Sequence, residues 1–260
     1  MLGADLLAAV DPVTTFEAAG MEPDDWQARA LRSRARQAAW LCSRQSGKSV
    51  CAAALAAHEA IYRPGSLTLV VAPTERQSAE LVRKVRDVLA AVRSSVRETA
   101  ESVTRVELAN GSRVVGLPGS ERTVRGFSAV DLLVLDEAAR IEDALYHAVR
   151  PMLAVSGGRL IALTSAWGRR GWLYEVWTNG GQDWERELVP ATMCPRIAPD
   201  FLEEERRSLP RWVFESEYMC RFAEAAGAVF REEDLQAAFD PNLKPLFGPE
   251  DEIWQHRGTT

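Results

Sequence analysis

Apolar residues are concentrated in four short runs along the chain. They occupy residues 38–42, Leu67–Ala72, residues 132–135 and Arg159–Thr164, and none of them alternates regularly between apolar and polar positions. Short runs that stay apolar through their centre are typical of strands buried on both faces of a sheet. The sequence therefore predicts four buried strands.

Segments with helical character lie between these strands. We expect an alanine-rich helix from Lys48 to about Tyr62, a long helix over residues 74–92, and a short helix followed by a turn within residues 4–20. Another helix precedes the first strand, with Asp24 or Asp25 as its cap. Buried strands that alternate with helices form a mainly parallel sheet covered on both faces, so the predicted fold class is α/β.

One segment, residues 104–117, alternates between apolar and polar positions around Asn110-Gly111. An Asn-Gly pair between alternating segments is the strongest short-range signal for a β-hairpin. We therefore expect two antiparallel strands at this point of an otherwise parallel sheet.

The character of the sequence changes beyond about Thr192. Short helices are expected over residues 201–209 and 211–222, and the apolar content thins from Gly227 onward. The predicted organisation has three parts: a core over residues 1–192, a helical lid or linker subdomain over residues 193–235, and a tail or linker over residues 236–260.

Composition narrows the class of protein. A chain of 260 residues that is 47% hydrophobic and 26% charged is long enough and apolar enough to form a full globular core. Its four cysteines are scattered without a CxxC pair, which argues against a disulfide framework and against a zinc site. We see no signal peptide and no apolar run long enough to cross a bilayer, so we expect a soluble intracellular protein without membrane contacts.

The first motif with a chemical meaning lies between the first strand and the alanine-rich helix. It matches the P-loop pattern GxxxxGK[ST] except at its first glycine, where Cys42 stands. In such a loop the backbone amides surround phosphates, Lys48 neutralises the β- and γ-phosphates, and the Ser49 hydroxyl binds Mg²⁺. The predicted ATP-binding residues are Ser43, Arg44, Gln45, Ser46, Gly47, Lys48 and Ser49.

The second motif is the acidic pair Asp136-Glu137 after the third buried strand. Such a pair is by itself most often a helix cap, but it follows a P-loop here and ends a strand at the edge where parallel sheets bind ligands. Asp136 then supports Mg²⁺, and Glu137 orients and polarises the attacking water. The two motifs together predict a P-loop ATPase of the RecA-like (ASCE) class, with ATP and Mg²⁺ as cofactors.

Two further pairs are candidates for nucleotide contacts. Thr164-Ser165, at the end of the fourth strand, is placed to sense the γ-phosphate, although a strand-end turn also favours hydroxyl residues. Trp26-Gln27 precedes Lys48 by about twenty residues and is a candidate for the adenine. The alternative is that Trp26 is a core aromatic residue and Gln27 a solvated helix residue.

Phosphoryl transfer is accelerated by an arginine that meets the developing charge, in cis or from a neighbouring subunit. The candidates are Arg125, Arg122 and Arg44. A glycine follows Arg125, which is compatible with a turned loop that reaches a neighbour. A solvated surface arginine is the alternative for each.

Taken together, these motifs resemble the ATPase domain of the large terminase subunit of tailed bacteriophages. The likeness extends over roughly residues 20 to 235, and a P-loop of the form SRQ-x-GK[ST], which lacks the first glycine, is fairly specific for that family. The resemblance implies an ATP-driven motor that moves double-stranded DNA into procapsids in the cytoplasm of the bacterial host. Its implied partners are the portal protein and the small terminase subunit. The motor is a homo-oligomeric ring when assembled and a monomer in isolation.

The same resemblance implies roles for individual residues. Lys48 and Ser49 would bind MgATP, Asp136 would support Mg²⁺, Glu137 would be the catalytic carboxylate, and an arginine near Arg125 would act in trans. Thr164-Ser165 would couple hydrolysis to movement. Large terminases also carry a nuclease domain with clustered aspartates. No such cluster occurs in these 260 residues, either because they are the ATPase domain alone or because the protein departs from the family, so we assign this chain no nuclease activity.

Two other functions remain open on the sequence. One is the motor domain of a superfamily 2-like helicase, and the other is a nucleotide-binding assembly scaffold without turnover. For DNA, the candidate phosphate contacts are Arg83, Lys84 and Arg86, or the Arg169-Arg170 turn. A solvated helix face is the alternative for the first group.

Overall fold

The structure is a computed structural model that describes residues 2–92, 97–120, 124, 126–223 and 238. The chain divides into two compact units, Met1–Ala223 and Glu224–Thr260, and the described sheet and helices belong to the first. Residues 193–223 therefore lie in the same compact unit as the sheet. The finer division of the chain at residues 192 and 235 stays a prediction.

The described residues form one eight-stranded sheet with the order β3-β4-β5-β2-β6-β7-β1-β8. In this spatial order, each strand from β5 onward pairs in parallel with the next, up to β1 with β8. The two pairs at the other edge, β3–β4 and β4–β5, are antiparallel. The predicted α/β fold with a mainly parallel sheet is confirmed. The strands are β1 (Gln37–Cys42), β2 (Leu67–Ala72), β3 (Glu98–Ser102), β4 (Arg105–Leu108), β5 (Arg113–Pro118), β6 (Leu132–Asp136), β7 (Arg159–Thr164) and β8 (Glu185–Val189).

Helices cover both faces of this sheet. They are α1 (Leu2–Val10), α2 (Pro12–Ala18), α3 (Asp25–Arg32), α4 (Lys48–Tyr62), α5 (Glu75–Val92), α6 (Asp143–Val149), α7 (Trp172–Asn179), α8 (Pro199–Ser208) and α9 (Arg211–Glu217). The predicted single short helix within residues 4–20 is two helices. The Asp11 carboxylate caps the second by accepting the Val13 N–H at 3.1 Å, and Pro12, which needs no amide partner, starts it.

Successive residues of the central strands belong to two separate hydrophobic cores, one on each face of the sheet, because side chains along a strand alternate between faces. Val70 and Val134 pack under α4 and α5, whereas Leu69, Leu133 and Leu135 pack under α6 and α7. Every one of these residues is fully buried, which explains why the strands are apolar throughout.

Helix α4 carries the P-loop at its N-terminus and lies against the sheet, α5 and α2. Its alanines are completely buried, since small side chains let the helix approach these neighbours closely. The hairpin turn between β4 and β5 holds the other end of α4: the Asn110 amide donates to the carbonyls of Ala60 (2.8 Å) and Ile61 (3.2 Å). Gly111 follows with φ of +85°, as an Asn-Gly turn requires.

No helix in the described residues is long and apolar enough to cross a membrane.

Replacing Asn110 with alanine is expected to destabilise the fold. The change removes two donors to the last turn of α4 and the acceptor for the Ser112 N–H at 3.0 Å, so the free energy of unfolding should fall by about 1–2 kcal/mol. Urea unfolding checks this. Asn179→Ala is the matched control, because Asn179 bonds only the exposed Glu175 carboxylate, and it should change stability by less than about 0.5 kcal/mol. Equal effects of the two changes would contradict this role of the turn.

Candidate active site

Three strands that end in predicted site residues are neighbours in the sheet. Strand β7, which ends at Thr164, lies between β1, which leads into the P-loop, and β6, which ends at Asp136. Leu41 pairs with Thr164 and Asp136 pairs with Leu163, so the three strands end at the same level. All three motifs therefore meet at the carboxyl edge of the sheet, where open α/β proteins bind their ligands.

The P-loop has the backbone conformation of an anion-binding concavity. Gln45 and Gly47 lie on either side of Ser46 with φ of +60° and +86°, and alternation of this kind turns successive N–H groups toward one point. The Ser46 hydroxyl donates to the Ser43 carbonyl at 2.9 Å and closes the loop. Position 47 favours glycine because its φ of +86° strains any other side chain, and a Cβ atom there would also lie 2.7 Å from the Gln27 amide nitrogen, which would have to move.

Lys48 and Asp136 are oppositely charged and both only 8% exposed. Lys48, the first residue of α4, forms no ion pair with a carboxylate in the described part of the chain. Burial raises the pKa of the Asp136 carboxyl to about 6 and the Glu137 charge adds to this, while the Lys48 ammonium opposes it. The site therefore combines a buried lysine with a buried carboxyl group whose pKa is raised to about 6.

Glu137 has a left-handed backbone, with φ of 49° and ψ of 43°. A non-glycine residue in this region costs about 1–2 kcal/mol. Its N–H donates to the Asp136 carboxylate at 3.0 Å, and a short 3-10 turn follows at Ala138–Arg140. A strained residue next to a buried acid is typical of a functional position, which supports the catalytic role predicted for Glu137.

The Thr164-Ser165 pair connects the site to two other parts of the molecule. The Thr164 hydroxyl accepts the Ala139 N–H at 3.4 Å, beside the acidic pair, and donates to the Ser165 carbonyl at 2.8 Å. The carbonyl of the residue after Ser165, Ala166, accepts a hydrogen bond from the Ser216 hydroxyl of α9 at 2.5 Å. These bonds link the end of β7 to the acids and to α9, and sensing of the γ-phosphate stays a prediction.

Arg44 of the P-loop is paired with Glu217 at the end of α9. The guanidinium binds both carboxylate oxygens, at 2.9 and 3.3 Å, and the Arg44 N–H donates to the Glu217 carbonyl at 3.0 Å. Burial alone would raise the pKa of the Glu217 carboxyl, but Arg44, with help from Ser165 and Arg140, holds it below its ordinary value. Arg44 must leave this ion pair before it can reach a phosphate.

The Trp26-Gln27 pair is buried next to the P-loop. The Trp26 ring is 2% exposed and packs edge-on against Trp40 with 6.2 Å between centroids, and Trp26 also lines a cavity with Pro23 and Met193. Its contact with adenine stays a prediction. Gln27 is equally buried: its amide oxygen accepts the Asp24 N–H at 2.9 Å, and its nitrogen donates to the Gly47 carbonyl at 3.4 Å. The structure thus joins Gln27 to the P-loop, and its contact with adenine stays a prediction.

Two residues of this region carry no recognisable sequence signal. Glu217 and Arg196 lie in irregular or short helical segments far along the chain from the P-loop, and neither belongs to a motif. Arg196 forms a bidentate ion pair with Asp24, the N-cap of α3, at 2.8 and 2.5 Å. It also donates to the Ser46 carbonyl at 3.2 Å.

The remaining arginine candidates fall into two groups. Arg122 and Arg125 lie outside the described residues, so their roles stay predictions. On α5, Arg83 pairs with Glu80, and Arg86 bonds Glu98 and the Ser102 carbonyl. These pairings favour a structural role for the α5 arginines, whereas Arg169, which donates to the Phe222 carbonyl, and Arg170 lie exposed near the end of β7.

The chain is similar to known proteins over most of its length. Residues 40–237 match the family model described as terminase large subunit, T4likevirus-type, N-terminal, and the chain belongs to that family. The large terminase subunit of Thermus virus P23-45 is 27% identical over 256 residues, which cover 85% of this chain and 53% of that protein. The chain thus spans about half the length of the curated relatives it matches.

Solved structures of this family have the same fold. The large terminase ATPase domain of Thermus phage P74-26 superposes with a TM-score of 0.69 at 26% identity, over 80% of this chain and 97% of that one. A large terminase from a thermophilic bacteriophage in complex with ADP superposes with a TM-score of 0.62 at 10% identity, over 80% and 52% of the two chains. The fold is therefore the RecA-like P-loop fold that the motifs predict.

Asp136→Asn is expected to stabilise the nucleotide-free protein at high pH. The pKa of Asp136 is raised from an ordinary 3.8 to about 6, so the folded state binds more protons than the unfolded state between these values. Stability contributed by this group is then greatest at low pH and falls as the pH rises through 6, by up to about 3 kcal/mol. The variant should match the wild type near pH 4 and exceed it at pH 8.

Thermal unfolding between pH 4 and pH 8 without nucleotide or Mg²⁺ measures this difference. Asp183→Asn is the control for the loss of one carboxylate at an exposed position, and it should change stability by less than about 0.5 kcal/mol. A difference between Asp136→Asn and the wild type that stays the same from pH 4 to pH 8 would mean that this carboxylate is not destabilised by burial.

Proposed function

We propose that this member of the terminase large-subunit family binds MgATP at the carboxyl edge of its sheet and hydrolyses it to ADP and phosphate, and that hydrolysis drives double-stranded DNA into a procapsid. One observation carries the proposal: the P-loop with its left-handed Gln45 and Gly47, the buried Lys48 and Asp136, and the strained Glu137 follow β1 and β6, the two strands that flank β7 in the sheet. Phosphates, a divalent cation and an attacking water would bind between these groups.

The phosphates would lie in the concavity of Ser43–Ser49. Its N–H groups and the positive end of α4 favour an anion there, and Lys48 supplies a full charge that no carboxylate of the described residues neutralises. Nucleotide binding at this fold is consistent with the terminase structure that contains ADP. The base would extend toward the N-terminus of α3.

Mg²⁺ would be held by the Ser49 hydroxyl and the Asp136 carboxylate. Both are hard oxygen donors, and Mg²⁺ commonly takes one or two protein oxygens together with phosphate oxygens and water. The described residues contain no cluster of three or more carboxylate, histidine or cysteine ligands, so a site made by protein ligands alone is not indicated there. Bound Mg²⁺ would neutralise charge that develops on the phosphates.

Glu137 would accept a proton from the water that attacks the γ-phosphorus, while the bond from that phosphorus to the β–γ bridging oxygen breaks. Its backbone N–H is bonded to the Asp136 carboxylate, which ties the two acids together. The hydroxyl of Thr164, bonded to the turn that follows Glu137, would transmit loss of the γ-phosphate toward α9. The energetic cost of the Glu137 conformation has no use in a scaffold without turnover, which favours the enzyme.

Movement of DNA requires partners beyond the site itself. We infer that the motor acts as a homo-oligomeric ring on the portal protein, together with the small terminase subunit, in the cytoplasm of the bacterial host. Family membership supports this inference over the helicase alternative. Arg169 and Arg170, which are exposed near the strand end that carries Thr164, are candidates for contacts with DNA phosphates.

Substituting Glu137 with glutamine should abolish turnover while sparing ATP binding. The amide keeps the size of the side chain but cannot accept the proton, so phosphate release should fall at least about 100-fold. Lys48→Ala should instead abolish binding, measured with a fluorescent ATP analogue, and Glu204→Gln on the exposed face of α8 serves as the control. Turnover that survives in Glu137→Gln would remove Glu137 from its role as the base.

A mixing experiment tests whether an arginine acts between subunits. Arg125→Ala has an intact hydrolytic site without the proposed arginine for its neighbour, and Glu137→Gln has the arginine without the hydrolytic site. If Arg125 acts in trans, a mixture of the two variants at a protein concentration that allows assembly should regain ATPase activity. The specific ATPase activity of the wild type should also rise with protein concentration. Activity of the mixture no greater than the sum of its parts would argue for sites completed within one chain, and Arg122→Ala tests the neighbouring candidate in the same way.

A further inference from the structure

The P-loop is held from outside its concavity by two side chains. Arg196, in the segment after β8, donates to the Ser46 carbonyl at 3.2 Å, and Gln27 of α3 donates to the Gly47 carbonyl at 3.4 Å. The two bonded carbonyls are consecutive in the loop. Both belong to the part of the P-loop that leads directly into Lys48.

A trans peptide group points its C=O and its N–H in opposite directions. All described peptides are trans. Arg196 holds the Ser46 carbonyl on the outer side, and Gln27, together with the Cys51 N–H at 3.0 Å, holds the Gly47 carbonyl there. The N–H groups of Gly47 and Lys48 then face the inner side. These are amides that would bond phosphate oxygens.

The two side chains are themselves joined through Asp24. The Asp24 carboxylate accepts hydrogen bonds from two guanidinium nitrogens of Arg196, and the Asp24 N–H donates to the Gln27 amide oxygen at 2.9 Å. Asp24 is largely buried, with 11% of its side chain exposed. A closed circuit thus runs from Ser46 through Arg196, Asp24 and Gln27 back to Gly47.

We propose that Arg196, fixed by Asp24, is a positioning residue that preorganises the P-loop for the β- and γ-phosphates of ATP. This proposal rests on the proposed nucleotide-binding function and adds a residue that no P-loop pattern contains. Rigid presentation of the amides reduces the ordering that binding must otherwise cause. Loss of Arg196 frees the Ser46–Gly47 peptide to rotate and lowers phosphate affinity.

A second role for Arg196 must be separated from this one. A cavity of about 650 Å³ opens beside it, lined among others by Pro23, Trp26, Met193 and Pro195. Its volume lies within the range of small-molecule sites, so Arg196 would also be positioned to contact a nucleobase. A ligand with phosphates and no base distinguishes the two roles.

The experiment measures the affinity of the full chain for MgATP and for magnesium tripolyphosphate by calorimetry, in the wild type and in Arg196→Ala. Positioning of the P-loop predicts that both ligands weaken by the same factor, about tenfold for a lost hydrogen bond from a charged donor. Asp24→Ala should give a similar loss, and the double variant should lose no more than either single one because both changes break one circuit. In steady-state turnover, the KM for ATP should rise, whereas kcat should stay within about twofold of the wild-type value.

Arg32→Ala is the matched control. Arg32 forms a bidentate ion pair with Asp11 and is about as exposed as Arg196, at 57% against 50%, but this pair does not touch the P-loop. The control should change thermal stability without changing either affinity. Arg196→Lys, which keeps the charge near Asp24 but lacks the planar fork, should restore part of the affinity.

Three results would overturn the proposal: unchanged affinities in Arg196→Ala, a loss for MgATP alone, or an equal loss in Arg32→Ala. The second of these would assign Arg196 to the base. Failure of the proposed function looks different, because the wild type itself would then bind neither ligand, or Lys48→Ala would bind as well as the wild type.

Discussion

The buried charge at the ends of β1 and β6 is the constraint on which the rest of the site depends. Lys48 and Asp136 are almost inaccessible to water, and a buried charge is costly unless it is paired or neutralised. Without a ligand the protein meets this cost partly by a raised Asp136 pKa. Phosphates beside Lys48 and Mg²⁺ beside Asp136 would remove the cost, so the same burial that destabilises the empty site favours the nucleotide complex.

Such a site can persist only on a rigid support. The three strands beneath it are buried on both faces, and α4 is held at its far end by Asn110 and along its length by close alanine contacts. This packing also maintains the left-handed backbone of Gln45 and Glu137, which their own conformational preferences oppose. Local strain and buried charge thus occur together at the edge of the sheet where the motifs converge.

The central strands and the motifs were predictable because their signals are local. A strand that is buried on both faces is apolar throughout, and a P-loop is a contiguous pattern. Edge strand β8 was missed, since its sequence Glu185–Val189 carries charges that an exposed edge permits. The partners of the P-loop were missed for another reason: Arg196 and Glu217 lie at least 150 residues from the P-loop residues they bond, and arginine-rich composition offers many equivalent candidates.

Those two distant residues give the segment after β8 a direct connection to the nucleotide loop. Glu217 holds the Arg44 side chain, and Arg196 holds the Ser46 carbonyl a few atoms further along the same loop. One segment therefore makes both contacts with the P-loop. In the proposed motor these two contacts, made by Arg44 with Glu217 and by Arg196 with the Ser46 carbonyl, would connect the ATP site to this segment.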